Sequence, residues 1–421
     1  MSSSFSIALS ALEAESQAIN TTGNNLANMN TTGFKESEVD FKDLFSQYYG
    51  TSSGVKTGLG VGLPQGNQVF TQGSIQSSQS PLAAAIQGNG FFVVQGPTGQ
   101  PLYTRDGTFQ TDLAGNLQTS TGETVQGWMA TSSGINTSGP TSSITLPTGQ
   151  VLPPVATQNF TLSANLDATG VAGTSTGTFS APIQVVDSLG NTHNLTVTFT
   201  QSATAANTWS YQVTIPSGDL TGGTPGQQTS LLATPGSITF NSDGTMSAAG
   251  GTAPVAVGIS GLADGASNMS INWALFNSSG AGNLTNYAET SNLASSSQDG
   301  EPPSELTSVA IQTGGQVVGT YSNGQTKVEA QLAMAAIENP ESLDNVGNNN
   351  FAVSSGTAIP AVGVPQTGGR GQILGNSLES SNVDMASEFT HLIVYQSAYQ
   401  ASSRVISTVN NMNQDLFSLI H

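Results

Sequence analysis

The chain runs to 421 residues and carries 7 Lys and Arg against 26 Asp and Glu, a net charge of −19. The cations Lys35, Lys42, Lys56, Lys327, Arg105, Arg370 and Arg404 are scattered and build no basic patch, which argues against nucleic acid and against anionic membrane surfaces as partners. Cys is absent, so disulfides and thiolate metal sites are excluded, and only 8% of residues are charged, against about 25% in an ordinary domain. Ser, Thr, Asn, Gln and Gly therefore carry solubility, which suits dense packing against copies of the same chain.

The length suggests about two to four domains, and 36% hydrophobic residues give each of them material for a core. Met1 to Asn20 has no basic n-region and no continuous apolar run, so it does not read as a Sec signal peptide. No stretch approaches the roughly 18 apolar residues of a membrane span. The expectation is a cytoplasmic protein or one exported without a cleaved signal.

The chain opens with a helical pattern. Phe5, Leu12, Ile19 and Leu26 recur every seven residues, with Ala8 and Leu9 beside them, as in a coiled-coil seam. Ser2 to Ser4 offer N-cap oxygens. Gly23 is expected to bend or weaken the helix. Tyr49 to Asn67 is Gly-rich and reads as a linker. Arg105-Asp106-Gly107 and Ala114-Gly115-Asn116 mark turns. Thr131 to Pro154, rich in Ser, Thr, Gly and Pro, reads as a second linker.

A β-rich block follows. Ile183 to Val186, the turn Asp187 to Asn191, and Leu195 to Phe199 read as a hairpin. Trp209, Tyr211, Val213 and Ile215 alternate with polar residues, as a half-buried strand does. Ser291 to Pro303 is polar, ends in Pro302-Pro303, and reads as a third linker. Asn323-Gly324 predicts a two-residue hairpin turn with positive φ angles. The C-terminus turns helical again. Met385, Phe389, Leu392 and Tyr399 form one apolar row, and Val405, Val409, Met412, Leu416 and Leu419 another. Asn382 and Asp384 sit where an N-cap and a first-turn anion belong. With no Gly or Pro after Val383, one helix of roughly 55 Å is expected.

Two short patterns match a catalytic motif without the surrounding elements that its chemistry needs. Gly50-Thr-Ser52-Ser-Gly54 and Gly173-Thr-Ser175-Thr-Gly177 match G-x-S-x-G, but both lie in Gly/Ser/Thr-rich loops rather than between a buried strand and a helix. His193, His391 and His421 show no metal-ligand spacing and read as packed or solvated. Gly58, Gly60, Gly62 and Gly66 match neither phosphate-loop spacing and read as a flexible loop. Asp187, Asp243 and Asp299 sit in turn signals, where Asp caps the local backbone. Weak calcium binding at such turns stays open, without an EF-hand pattern. The reading is no catalytic residue, no cofactor site and no metal site.

Two terminal strings carry a resemblance. Asn24-Asn25-Leu26-Ala-Asn28-Met-Asn-Thr-Thr32-Gly33-Phe34-Lys35 resembles the N-terminal signature of the bacterial flagellar rod and hook family. Leu378 to Asp384 (with Asn382, Val383 and Asp384), Glu388-Phe389, Gln396-Ser-Ala-Tyr399-Gln400, Arg404-Val-Ile and Met412 resemble its C-terminal signature. Leu82 to Phe92 and Tyr103 to Gly107 are similar to segments that rod and hook share. Pro153 to Thr157, Asn165 to Asp167, Val186 to Asn191, Gln298-Asp-Gly300 and Gly319 to Gly324 are similar to the hook branch. Glu301-Pro-Pro-Ser-Glu305 departs from the family pattern at that junction.

The resemblance implies a multidomain α+β fold, in which paired, coiled-coil-like N- and C-terminal helices enclose mostly antiparallel β-domains. Residues 1–28 and 383–421 would form the helical inner wall of a tube. Residues 29–75 would be an extended segment bridging subunits, and a long stretch from Ser46 to Thr57 is associated in the family with stiffness. Residues 76–150 and 304–382 would be an inner split β-domain, with 151–303 an outer β-domain inserted in it. The implied role is a structural, non-enzymatic hook subunit, extracellular and exported without a cleaved signal, that polymerises into a curved hollow tube and transmits torque as a universal joint. Its implied partners are itself, rod, hook-cap and hook–filament junction proteins, and the flagellar export apparatus. Pairing of the two helices leaves apolar area uncovered, because Leu392, Ile393 and Tyr395 project around more than one face. The ends are therefore expected to be disordered in a monomer and to order on assembly. The competing readings are a distal rod protein, which normally lacks the inserted block, a β-rich extracellular adhesin, and a hydrolase using Ser52 or Ser175.

Overall fold

The computed structural model describes residues 2–44, 58–131, 134–248 and 251–418, with side chains except at 2–4, 416 and 417. Two compact units emerge. One holds residues 1–148, 307–320 and 325–421, and the other holds 149–306 and 321–324. The segment Ser46 to Thr57, Ser52, Leu419 and His421 lie outside the described residues, as does the side chain of Leu416.

The first unit contains both long helices, α1 (Ser2–Ala27) and α2 (Met385–Ser418). At 1.5 Å per residue the 34 residues of α2 span about 51 Å. Helix α1 runs unbroken through Gly23, contrary to the expected bend. The neighbours Thr22, Asn24 and Asn25 are themselves weak helix formers, so burial of Thr22 and Asn25 and the bond from Asn25 to Glu388 of α2 offset the roughly 1 kcal/mol that Gly costs. Asp384, not Asn382, caps α2. Its Oδ1 accepts from the N–H groups of Ala386 (2.8 Å) and Ser387 (2.9 Å). The first-turn anion is Glu388.

The β part of this unit packs Thr326–Leu332, Thr124–Thr131, Phe91–Gln95, Pro101–Thr104, Asn350–Ala352 and Asp344–Gly347 side by side, antiparallel throughout. Phe91 to Val94 are all buried, as an apolar run without alternation requires. Their core includes Tyr103, Trp128, Ala335 and Phe351. Distant chain segments interleave here. Ile75–Ser77 pairs with Ser377–Glu379, and Ala84–Gln87 pairs with Gln372–Gly375. The Asn323-Gly324 turn has one extra residue compared with the expected form. Only Gly324 takes a positive φ (+82°), its N–H donates to the Tyr321 carbonyl at 2.9 Å, and Asn323 stays in the ordinary region. That is a type I turn closed by a left-handed Gly.

The second unit is a β-sandwich. Thr178–Val186, Thr192–Gln201, Thr208–Pro216 and Gln228–Ser230 form one antiparallel sheet. The predicted hairpin is present, with Val186 opposite Thr192. Trp209, Tyr211, Val213 and Ile215 are buried in strict alternation. The other sheet orders Val255–Ile259, Met269–Ala274, Asn159–Asn165 and Leu284–Thr285. Asn159–Asn165 runs parallel to both of its neighbours on this path, a local exception to the antiparallel rule. Trp273 ties the sheets together. It stacks on Phe160 at 5.8 Å and meets Tyr211 edge-on at 5.1 Å. Ser291 to Pro303 is mainly not a linker, because Asn292–Gln298 pairs antiparallel with Asn159–Asn165. Its residues are exposed in nearly every position, so the strand carries no apolar alternation to betray it. Asp299 does not cap its own turn. It accepts from the N–H groups of Gln158 and Asn159, both at 2.8 Å.

Candidate assembly surface

The two helices lie antiparallel. Asn25 Nδ2 donates to Glu388 Oε1 at 3.2 Å, and Ser402 Oγ donates to Glu15 Oε1 at 3.4 Å. The buried face of α1 is made of small residues: Ala8, Ala14, Ala18 and Thr22, ending at Asn25. With half-buried Ala11 the steps are three or four residues, one helical face. On α2 the covered row is Glu388, Leu392, Tyr395, Ser402, Ile406 and Val409. Small side chains on α1 let the helices approach closely, so large ones on α2 can fill the seam.

The large apolar residues of α1 flank this face. Leu12, Ile19 and Leu26 are half-buried, while Phe5 and Leu9 are 42% and 41% exposed. On α2, Phe389, Tyr399, Val405 and Met412 are exposed, and Ile393 reaches 63%. Leu9, Leu12 and Tyr399 line one open groove of about 550 Å³. The pair thus turns apolar side chains to the outside on more than one face, where a solitary soluble helix pair places polar ones.

At the base of the pair, the N-terminal string is knotted to the C-terminal one. Lys35 Nζ sits 2.7 Å from Glu379 Oε1, and both side chains are fully buried. Nζ also donates to the Thr71 carbonyl at 2.7 Å. Arg105 Nη1 approaches Glu379 Oε2 at 3.2 Å, its Nη2 donates to Gly88, and its guanidinium lies over Phe91. Burial pulls the Lys35 ammonium below its ordinary pKa, and Glu379 opposes that pull. Arg105 is shifted down for the same reason, with the same opposition. Gly33 N–H donates to the Glu379 carbonyl at 2.8 Å. Its φ is +68°, and a Cβ there would come within 2.6 Å of the Asp106 nitrogen, so no other residue fits. Asn349 Nδ2 donates to the Thr32 carbonyl, and Phe34 is buried alongside.

Two asparagines complete the clasp. Asn25 Oδ1 accepts the Ser37 N–H at 3.0 Å while its Nδ2 donates back to the Ser37 carbonyl at 2.9 Å. Asn382 Oδ1 accepts the Glu36 N–H at 2.8 Å, and its Nδ2 donates to the Val69 carbonyl and to Thr71 Oγ1, both at 2.9 Å. Both ends of Asn382 are consumed, which is why it cannot cap α2. Asn28 closes the end of α1 by donating to the Asn24 carbonyl at 2.9 Å. Val383 is half-buried and Gln396 exposed.

The family strings therefore divide in two. Asn25, Gly33, Phe34, Lys35 and Asn382 converge inside the fold, while Phe389, Gln396 and Tyr399 face outward. Sequence reading passed over Glu379, Arg105, Ile406 and Ser402 as site residues. Lys35 was the available signal, because a buried cation demands a buried carboxylate, and Glu379 stood in the other string.

The remaining candidates separate cleanly. Ser175 begins a short 3-10 turn, Ser175–Gly177, without the strand and helix of a nucleophile elbow. His391 lies 6.0 Å from the Tyr395 ring, with the two rings tilted by 36°. His193 is buried among carboxylates. No helix among the described residues is long and apolar enough to cross a membrane.

Three family models match stretches of this chain. They are the flagellar basal body protein FlaE D2 domain over residues 156–301, the flagella basal body rod protein over 5–35, and the flagellar basal body rod FlgEFG protein C-terminal model over 374–419. All three describe proteins of the flagellar basal body. The flagellar hook protein FlgE of Salmonella typhimurium is 30% identical over 99% of this chain and 100% of its own. That of Treponema pallidum is 30% identical over 94% and 95%. The crystal structure of the Helicobacter pylori flagellar hook protein FlgE2 superposes with a TM-score of 0.53 over 71% of this chain and 99% of its own, at 15% identity, and shares the fold. The chain belongs to the flagellar hook protein FlgE family.

Proposed function

We propose that this chain is a structural subunit of the bacterial flagellar hook, polymerising through its terminal helices into a hollow curved tube that transmits torque between rod and filament. The observation that carries the reading is the set of exposed apolar side chains on α1 and α2, Phe5, Leu9, Phe389, Ile393, Tyr399 and Met412 among them. One helix pair leaves those side chains in water, and further copies cover them. Identical subunits meeting head to tail without closure generate a helical filament. The matched D2 segment over 156–301 favours the hook over the distal rod reading, and the helix pair has no role in an adhesin.

The role is structural rather than enzymatic. The polymer lies outside the cell, with rod, cap and hook–filament junction proteins as neighbours and the export apparatus as the route out. Residues 1–28 with 383–421 line the wall. Residues 29–75 bridge subunits, 76–150 with 304–382 form an inner β-domain, and 151–303 the outer one. Electron microscopy of the purified chain, concentrated in a salting-out buffer, tests this. Hollow tubes are expected from the full chain and none from one lacking 383–421. Tubes from the truncated chain would remove the terminal helices from the mechanism.

A further inference from the structure

We infer that Asp187, His193 and Asp264, at one end of the sandwich, form a binding site for a divalent transition-metal ion of the zinc class. One ligand atom from each lies within 4.8 Å of the others. His193 Nε2 is 3.2 Å from Asp187 Oδ2 and 3.5 Å from Asp264 Oδ2. Ligands at about 2.0–2.2 Å from a tetrahedral ion stand about 3.3–3.6 Å from each other, so the 3.5 Å edge already has the required length and the 3.2 Å edge needs to open only slightly.

The groups around the three residues supply what such a site needs beyond its ligands. The other ring nitrogen, Nδ1, lies 3.1 Å from Asp219 Oδ2. A carboxylate on Nδ1 fixes the tautomer that leaves the Nε2 lone pair for a metal. Asp187 is preset in the same sense. Its Oδ1 takes the N–H groups of Leu189 (2.8 Å) and Asn191 (2.9 Å), leaving Oδ2 for the ion. Asn191 Nδ2 holds Asp264 Oδ2 at 3.1 Å. Asp187 and His193 are buried and Asp264 is exposed, so an ion enters from the Asp264 side and keeps an outer position for water. Imidazole with two carboxylates suits zinc-like ions, whereas calcium selects oxygen ligands only. The ion would thereby staple the strand that carries His193 to Asp264, 71 residues further along the chain.

The rival occupant is a proton. An imidazolium would satisfy the same carboxylates with no metal at all. The full-length chain, stripped with a chelator and dialysed, is titrated with Zn²⁺ by calorimetry and with Co²⁺ by visible spectroscopy. Expected are one Zn²⁺ per chain, tetrahedral Co²⁺ bands that Zn²⁺ quenches and Ca²⁺ does not, and an affinity about 10–100-fold lower in Asp219→Asn. Asp264→Asn, at a partly exposed position, should abolish uptake, while Asp243→Asn in an unrelated turn should not change it. Near-ultraviolet circular dichroism of the Trp209 and Trp273 core verifies that each variant is folded. No saturable uptake by the wild-type chain would overturn the inference in favour of the proton. Uptake unchanged in Asp264→Asn and His193→Gln would overturn it in favour of ions held elsewhere.

Discussion

Single residues in this protein do two opposed jobs, and burial separates them. Lys35, Glu379 and Arg105 form a dry charge cluster. Removing one partner of such a cluster leaves an uncompensated charge, at about 3–5 kcal/mol. Glu379→Gln should therefore lower the urea midpoint of the unit holding the helices, read by far-ultraviolet circular dichroism. An unchanged midpoint would mean that water reaches the cluster. Glu15 presents the milder case. Burial in the helix seam raises its pKa above the ordinary 4.5, only partly offset by its bond to Ser402. A carboxyl raised on folding favours the folded state below its unfolded pKa, and that contribution is lost as pH rises through the folded value. The helix pair should thus loosen on going from pH below 4.5 upward through the mildly acidic range. Glu15→Gln should flatten that dependence, and melting curves across the window decide it.

Among the elements, the helices show where periodicity succeeds and where it misleads. The spacing of Phe5, Leu12, Ile19 and Leu26 located α1, and the absence of Gly and Pro located α2 within a few residues. Which face of α1 is covered did not follow, because Ala8, Ala14 and Ala18 carry little hydrophobic signal beside Phe and Leu. A small side chain becomes the tightest contact only when a partner helix lies close. The strand Asn292–Gln298 leaves little sequence signal for a related reason: only Leu293 packs against the core, and the Ser and Gln that follow give no apolar alternation. Two substitutions test the account of the helices. A Cβ at Gly23 would meet nothing within 4 Å, so Gly23→Ala should stabilise α1 by about 1 kcal/mol. Asp384→Ala removes two capping bonds to α2 and should cost about 1 kcal/mol. Thermal melts of both variants, monitored at the helix signal, check sign and size.

For the whole molecule, the exposed apolar side chains of the helix pair and the sparsely charged composition point to one outcome, coverage by other copies. Ile393→Asp places a charge among those side chains at a position 63% exposed. It should leave the melting curve of the dispersed chain within about 0.5 kcal/mol of wild type, while electron microscopy shows tube formation abolished. Normal tubes from this variant would place the contact surface elsewhere.

By itself the sequence determined the class of protein. The two terminal strings, the helical periodicities and the alternating strands of the middle block are local or contiguous patterns, and local patterns survive in one dimension. Only the tertiary structure decided what the strings do, since Lys35 finds Glu379 across 344 residues and Asn382 finds Glu36 across 346. It alone brought His193 to Asp264, which no spacing rule links. Charges and amides are committed by which partners burial brings within about 3 Å, and that choice is made by the fold rather than by neighbours along the chain.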